Sequence, residues 1–369
     1  MDDIFNLFAK SNNFKIIKNL GEGSFGVVKE IFINDKIYAA KLIKKEKNEY
    51  EDESKLILEF RGLGIIKVNK IYTLEIGKKE NEKEKEIYYL IVMEKATLKN
   101  LSKFIYKMHN SNILKLIYKN PFDLIGENLL RFFTKQLIKG FELLNRSNYT
   151  HFDIKPGNIL IFMNMIIKIT DFGLLRNPKK IINEKNEFHV PGGTRGYMTP
   201  EYYSQNGYIK YEDAVKQDYF ALGSTLFCLK FGEDMLEYSK YLNYISISDI
   251  IIDLLQKAMD KIKSQKLCEK ELIEFLCSLI QYKPEDRPDL EIMYRNKWLN
   301  KNSEEIKAIA ENFEYDEEKL LLELDKSDFI LNKRNEINKS REKENQNENE
   351  NQNQNQNNMV KYNKFKFKL

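Results

Sequence analysis

Apolar positions alternate early in the chain and recur at helical spacing later. Two β-type runs, Ile16 to Leu20 and Val27 to Ile33, flank a glycine-rich turn, Gly21-Glu22-Gly23-Ser24-Phe25-Gly26. Asn34-Asp35 then reads as a hairpin turn into a third run, Ile37 to Ile43, which carries Lys41 between apolar neighbours. Leu56, Ile57 and Phe60 share one face of a short helical pattern, and Glu53 lies one turn earlier on that face. Strands are predicted from Ile65 to Leu74 and from Tyr88 to Met93, with the charged run Gly77 to Glu86 between them as a solvated loop. Helices are predicted from Leu98 to His109 and from Asn128 to Leu144, while residues 1–13 show no motif.

Composition narrows the field. A chain of 369 residues that is 42% hydrophobic can bury a sizeable core and carry a tail besides. Its net charge of +4, from 60 basic and 56 acidic residues, gives no strong nucleic-acid signal. The best apolar run, Ile159 to Ile169, is broken by Asn164 and Lys168, so no transmembrane segment is expected. Asp2 and Asp3 open the chain in the wrong order for a signal peptide. Cys228, Cys268 and Cys277 lack metal-type spacing and read as free or buried thiols. An intracellular protein, cytoplasmic or nuclear, is the expectation.

The chemistry concentrates in His151-Phe152-Asp153-Ile154-Lys155-Pro156-Gly157-Asn158, followed by Asp171-Phe172-Gly173. With the glycine turn, the lysine strand and the glutamate helix before them, these resemble the catalytic and metal loops of a protein kinase. The likeness continues through Gly193-Thr194-Arg195-Gly196-Tyr197-Met198-Thr199-Pro200-Glu201, where Thr199 replaces the alanine of A-P-E. It extends to Asp218-Tyr219-Phe220-Ala221-Leu222-Gly223 and to Lys283-Pro284-Glu285-Asp286-Arg287-Pro288, and covers residues 14–299.

The resemblance implies an α+β, bilobal fold with a small β-rich N-lobe (about 14–95) and a larger, mostly helical C-lobe (about 96–299). It implies ATP and Mg²⁺ as cofactors. Gly21, Gly23, Ser24, Phe25 and Gly26 would cover the phosphates, and Lys41 would grip them. A lysine with apolar flanks needs a carboxylate partner; Glu53 is the first choice and Glu49 the reserve. Val28, Ala39 and Leu160 would sandwich the adenine. Met93, Glu94 and Ala96 would form the hinge, with Met93 guarding the pocket behind it. Asp171 and Asn158 offer oxygen ligands suited to magnesium. Asp153 would orient or accept the substrate's hydroxyl proton, and Lys155 would stabilise charge on the transferring phosphoryl group. Lys155 and Thr194 together resemble the serine/threonine-specific members. His151 would pack in an apolar column with Ile57, Val68 and Phe172, anchored by Asp218. Arg287 would pair with Glu201.

One letter departs from the pattern: Phe152 stands where arginine usually receives an activation-segment phosphate. Between Asp171 and Thr194 the segment contains no serine, threonine or tyrosine. Receptor and acceptor are both missing, so activity independent of segment phosphorylation is expected. A pseudokinase scaffold is the rival reading, opposed by the full set Lys41, Glu53, Asp153, Asn158 and Asp171.

Trp298 and Leu299 close the domain. A helical extension is expected over 300–335, with a helix near 303–325 that packs on the large lobe or docks a partner. Residues 336–369 read as a disordered Asn/Gln/Glu/Lys-rich tail, whose end, 359–369, interleaves lysines with aromatics.

Overall fold

The computed structural model describes residues 1–23, 26–45, 58, 60, 62, 64–78, 81–110, 126–231 and 269–301. The chain divides into two units, residues 1–313 and 314–369. The expected 303–325 helix and the whole tail lie outside the described residues, as do Ser24, Phe25, Glu49, Glu53 and Ile57.

The small lobe is one antiparallel sheet of β1 (Lys15–Gly23), β2 (Gly26–Ile33), β3 (Lys36–Lys44), β4 (Val68–Lys78) and β5 (Asn81–Met93), in the order β1-β2-β3-β5-β4. Its register opposes Val28 to Lys41, and Ala39 to Met93, so strands distant in sequence line one surface. Gly26 closes the β1–β2 turn at φ +129°, where a Cβ would fall 2.1 Å from the Leu42 carbonyl oxygen. Only glycine fits there.

One expectation needs correction. The run Gly77 to Glu86 is not wholly a loop: β4 and β5 continue into it, pairing Ile76 with Glu86 and Gly77 with Lys85. Charged composition does not prevent strand pairing, because the ladder is made by main-chain groups rather than side chains. Opposite charges meet between neighbouring strands, Lys85 on Glu75 of β4 at 2.9 Å and Lys44 of β3 on Glu86 at 2.6 Å.

Residues 1–13, which carry no motif, are structured. They form α1 (Asp2–Ser11), whose Phe5 and Phe8 are buried against Phe14, Ile31, Ala40, Leu42, Leu90 and Val92. The sheet face away from Val28 and Lys41 is apolar and needs a cover, which α1 supplies. Lys29 on β2 pins the helix through Asp2 at 2.6 Å and lies over the Phe5 ring. Phe8→Ala should therefore lower stability by about 3 kcal/mol, the low end for a buried phenylalanine because a terminal helix can shift. Chemical denaturation of the full chain measures it.

The large lobe is mainly helical. Among the described residues it contains α2 (Leu101–Asn110), α3 (Glu127–Arg146), α4 (Pro200–Ser204), α5 (Ala214–Phe231), α6 (Lys270–Leu279), α7 (Leu290–Tyr294) and α8 (Lys297–Asn300). Two short ribbons accompany them, β6 (Ile159–Ile161) with β7 (Ile167–Ile169), and β8 (Glu187–His189) with β9 (Tyr208–Lys210). Leu130, Phe133, Leu137, Phe141 and Leu144 recur at helical spacing and form the buried face of α3. α5 buries Tyr219, Phe220, Leu222, Leu226, Phe227 and Leu229, almost its whole circumference, as a central helix must. Trp298 is fully buried, stacked on Phe275 and bonded through its indole N–H to Glu127 at 2.9 Å. No described helix is long and apolar enough to cross a membrane.

Candidate active site

The loop between α3 and β6 carries the densest polar constellation. Asp153 is only 3% exposed, an expensive place for a carboxylate unless donors surround it. They do. Thr194 Oγ1 donates to Oδ1 at 2.6 Å, while Lys155 Nζ and Asn158 Nδ2 each donate to Oδ2 at 2.8 Å. Burial pushes the Asp153 carboxyl up, but the bonds from Lys155 and Thr194 and the lysine's charge outweigh it and hold the pKa below the ordinary value. Lys155 also donates to Thr194 Oγ1, closing a triangle between two segments 39 residues apart.

Asp218, from α5, holds the loop's backbone. Its two carboxylate oxygens accept the N–H groups of His151 (2.8 Å) and Phe152 (2.9 Å). Burial drives this carboxyl up to about 7, against the pull of those two donors. His151 is fully buried; burial lowers its pKa and keeps it neutral. Its Nε2 lies 3.1 Å from the Thr170 carbonyl and its Nδ1 accepts the Asp153 N–H, so the ring props the loop rather than exchanging protons. Its ring stands 5.6 Å from that of Phe172, while Val68 is buried at the start of β4.

Asp171 adopts the left-handed conformation, φ 66°, that turns its carboxylate toward β3, where Lys41 Nζ meets Oδ1. The expected pairing of Lys41 with Glu53 or Glu49 falls outside the described residues. Asn158 spends both hydrogens of its amide on Asp153, one on the carboxylate and one on the main-chain carbonyl. That orientation leaves its Oδ1 as an acceptor beside the loop. No group of three or more His, Cys, Asp or Glu side chains that could hold a metal occurs among the described residues. One carboxylate and one amide oxygen still fit magnesium, which takes few protein ligands and completes its shell with phosphates and water.

The segment after Asp171 is tied down at both ends. Phe152, at φ 62°, points into a cluster with Phe188, Val190, Ile209 and Ala214, its ring 5.7 Å from that of Phe188. At the other end, Thr199 donates to Gln217 Oε1, and Gln217 Nε2 donates to Glu201 Oε1 at 2.6 Å. Glu201 in turn receives Arg287 at two 2.7 Å bonds.

Met93 ends β5 and Ala39 lies opposite it. Lys95 reaches Glu30 on β2 at 2.9 Å, whereas Glu94 turns to Lys168 on β7. Lys168 is the residue that sequence inspection passed over, noticed only as a polar break in an apolar run. Gln217 was missed too. The available signal was the same for both: a polar side chain embedded in apolar sequence requires a partner.

A two-lobed fold with this polar loop at the junction is that of the protein kinases. The protein kinase domain family matches residues 14–299, and the chain belongs to it. The chain is similar to the hormonally up-regulated neu tumor-associated kinase homolog of Xenopus tropicalis, 27% identical over 79% of this chain and 38% of that one. It is also similar to the serine/threonine-protein kinase ATG1 of Saccharomyces cerevisiae, 27% identical over 80% of this chain and 35% of the other. CBL-interacting serine/threonine-protein kinase 12 of Arabidopsis thaliana is 27% identical over 51% of this chain and 36% of its own length. The chain thus spans little more than a third of the length of these relatives.

Proposed function

We propose that this chain is an ATP- and Mg²⁺-dependent protein serine/threonine kinase whose activity does not require phosphorylation of its activation segment. The carrying observation is the triangle of Asp153, Lys155 and Thr194 at the lobe junction. Asp153 is held ionised, and Oδ1 keeps acceptor capacity beside the Thr194 bond, enough for an incoming hydroxyl. That hydroxyl's oxygen would attack the γ-phosphorus as the bond to the β-phosphate oxygen breaks, its proton passing to the Asp153 carboxylate. Lys155 places positive charge beside the transferring group, and Lys41 places it on the inner phosphates. Bound to Asn158 and Asp171, magnesium would neutralise the developing phosphate charge. The names of the yeast and Arabidopsis relatives support serine/threonine substrates.

Independence from a phosphate switch is supported by Phe152. A phosphate–arginine contact orders a segment electrostatically; here a cluster led by Phe152 and Phe188 anchors it by apolar burial. Gly193 and Thr194 follow that anchor in the chain, which brings Thr194 to Asp153.

The test is transfer of labelled γ-phosphate from ATP to serine, threonine and tyrosine peptides by the full chain. Labelling of serine and threonine peptides alone is expected; nucleotide binding without transfer to any of them would favour the scaffold reading. Phosphatase treatment should leave the rate unchanged, whereas Phe152→Ala should lower both the rate and the melting temperature. A segment phosphosite required for activity, found by mass spectrometry, would sink the independence claim.

A further inference from the structure

Glu94 and Lys168 meet where the two lobes join. The Lys168 ammonium lies 2.6 Å from Glu94 Oε1 and 2.8 Å from Oε2, with side-chain exposures of 18% and 25%. Glu94 Oε1 also accepts the Lys67 N–H at 2.6 Å, and the Glu94 N–H donates to the Lys67 carbonyl at 3.1 Å. Lys168 Nζ also lies over the Phe162 ring, 4.7 Å from its centroid. A charged pair fixed by this many contacts has little freedom left to lose when a ligand arrives.

What the pair connects matters more than its own strength. Glu94 follows Met93 directly, so its main chain is hinge backbone. Lys168 stands opposite Leu160 in the β6–β7 ribbon, and Asp171 comes three residues later in the chain. One ion pair therefore joins the proposed adenine edge to the proposed adenine floor and to the strand that leads into the metal loop. Lys95, the next hinge residue, is tied the other way, to Glu30 on β2. Successive hinge residues are anchored to opposite walls of the cleft.

Neither Glu94 nor Lys168 bonds to Asp153, Lys155, Asn158 or Thr194 among the contacts described. We propose that Glu94 and Lys168 are positioning residues that hold the hinge against β6–β7 at the separation a purine nucleotide needs, setting nucleotide affinity rather than the rate of the chemical step. The inference rests on the kinase reading and concerns the same cleft.

Nucleotide affinity is measured on the full chain with a fluorescent ATP analogue, and kcat separately by phosphate transfer at saturating ATP. Lys168→Met and Glu94→Gln should each weaken binding about tenfold, the scale of one charge-assisted contact, and Lys168→Met should keep kcat within about twofold. Lys168→Arg should bind like the wild type. The exchange Glu94→Lys with Lys168→Glu should recover part of the loss, not all, because a lysine cannot accept the Lys67 N–H. Unchanged affinity in Lys168→Met overturns the proposal, as does a fall in kcat at constant affinity. A lower melting temperature with normal affinity assigns the pair a structural role only and overturns it equally. If the wild type binds the analogue but transfers no phosphate, the kinase reading fails while the affinity series still decides this proposal. If it binds no nucleotide, both fall.

Discussion

Asp153→Asn is expected to lower kcat by about 10²–10⁴, the span of a positioned general base, while nucleotide affinity stays near that of the wild type. An amide has one acceptor oxygen where Thr194, Lys155 and Asn158 now converge on two, so one of the three bonds is lost and the fold survives. Asp171→Asn should fail differently. It removes the charge that meets Lys41 and weakens an oxygen ligand for magnesium, so ATP affinity falls along with kcat. Titration with nucleotide in parallel with the transfer assay separates the two outcomes; equal loss of affinity in both variants would refute the division of labour. The depressed Asp153 pKa adds a pH consequence. Its folded value lies below the ordinary 3.8, so its contribution to stability is in place above that pH and is lost as pH falls through the folded value. The acid limb of the rate profile should accordingly not be set by Asp153 near neutrality.

Arg287→Ala is the substitution expected to cost the most stability, about 3–5 kcal/mol, the scale for removing one partner of a buried ion pair. Every N–H of the guanidinium is used: two bonds to Glu201, and one each to the carbonyls of Gln281, Tyr282 and Lys216. Its loss leaves Glu201 buried with Gln217 as its remaining described side-chain donor. Glu201→Ala should be comparably severe, since it strands the arginine's charge. Removing both charges together should cost less than the sum of the single losses, because neither partner is then left unpaired. Against a total stability of typically about 5–15 kcal/mol, either single change is large. Denaturant titration of the four proteins closes the cycle; additive losses would contradict direct coupling. The same network reaches Thr199 through Gln217, so the segment carrying Thr194 should loosen when Arg287 is removed.

Much of the site could be read before any coordinates. Asp153, Lys155 and Asn158 sit within six residues, close enough that local backbone geometry alone sets them side by side. Gly26 was legible because a turn at positive φ leaves few choices of residue. The absence of a hydroxyl between Asp171 and Thr194 needs nothing but the letters. The five strands of the small lobe and the helices α2 and α3 also followed from apolar periodicity, which reports one chain's preference for burial on one face.

Other features depended on contacts between distant segments, where periodicity is silent. Charge density in Gly77 to Glu86 predicted solvation, but whether the stretch pairs as a ribbon depends on a partner strand. The motif-free start of the chain became a helix because the outer sheet face required a cover. Thr194 reached Asp153, and Lys168 reached Glu94, across 41 and 74 residues. By itself the sequence determined the family, the strands of the small lobe and which polar residues gather in the loop before β6. Tertiary structure alone decided who satisfies the buried charges: a side chain's need for a partner is local, but the partner's identity is settled by folding.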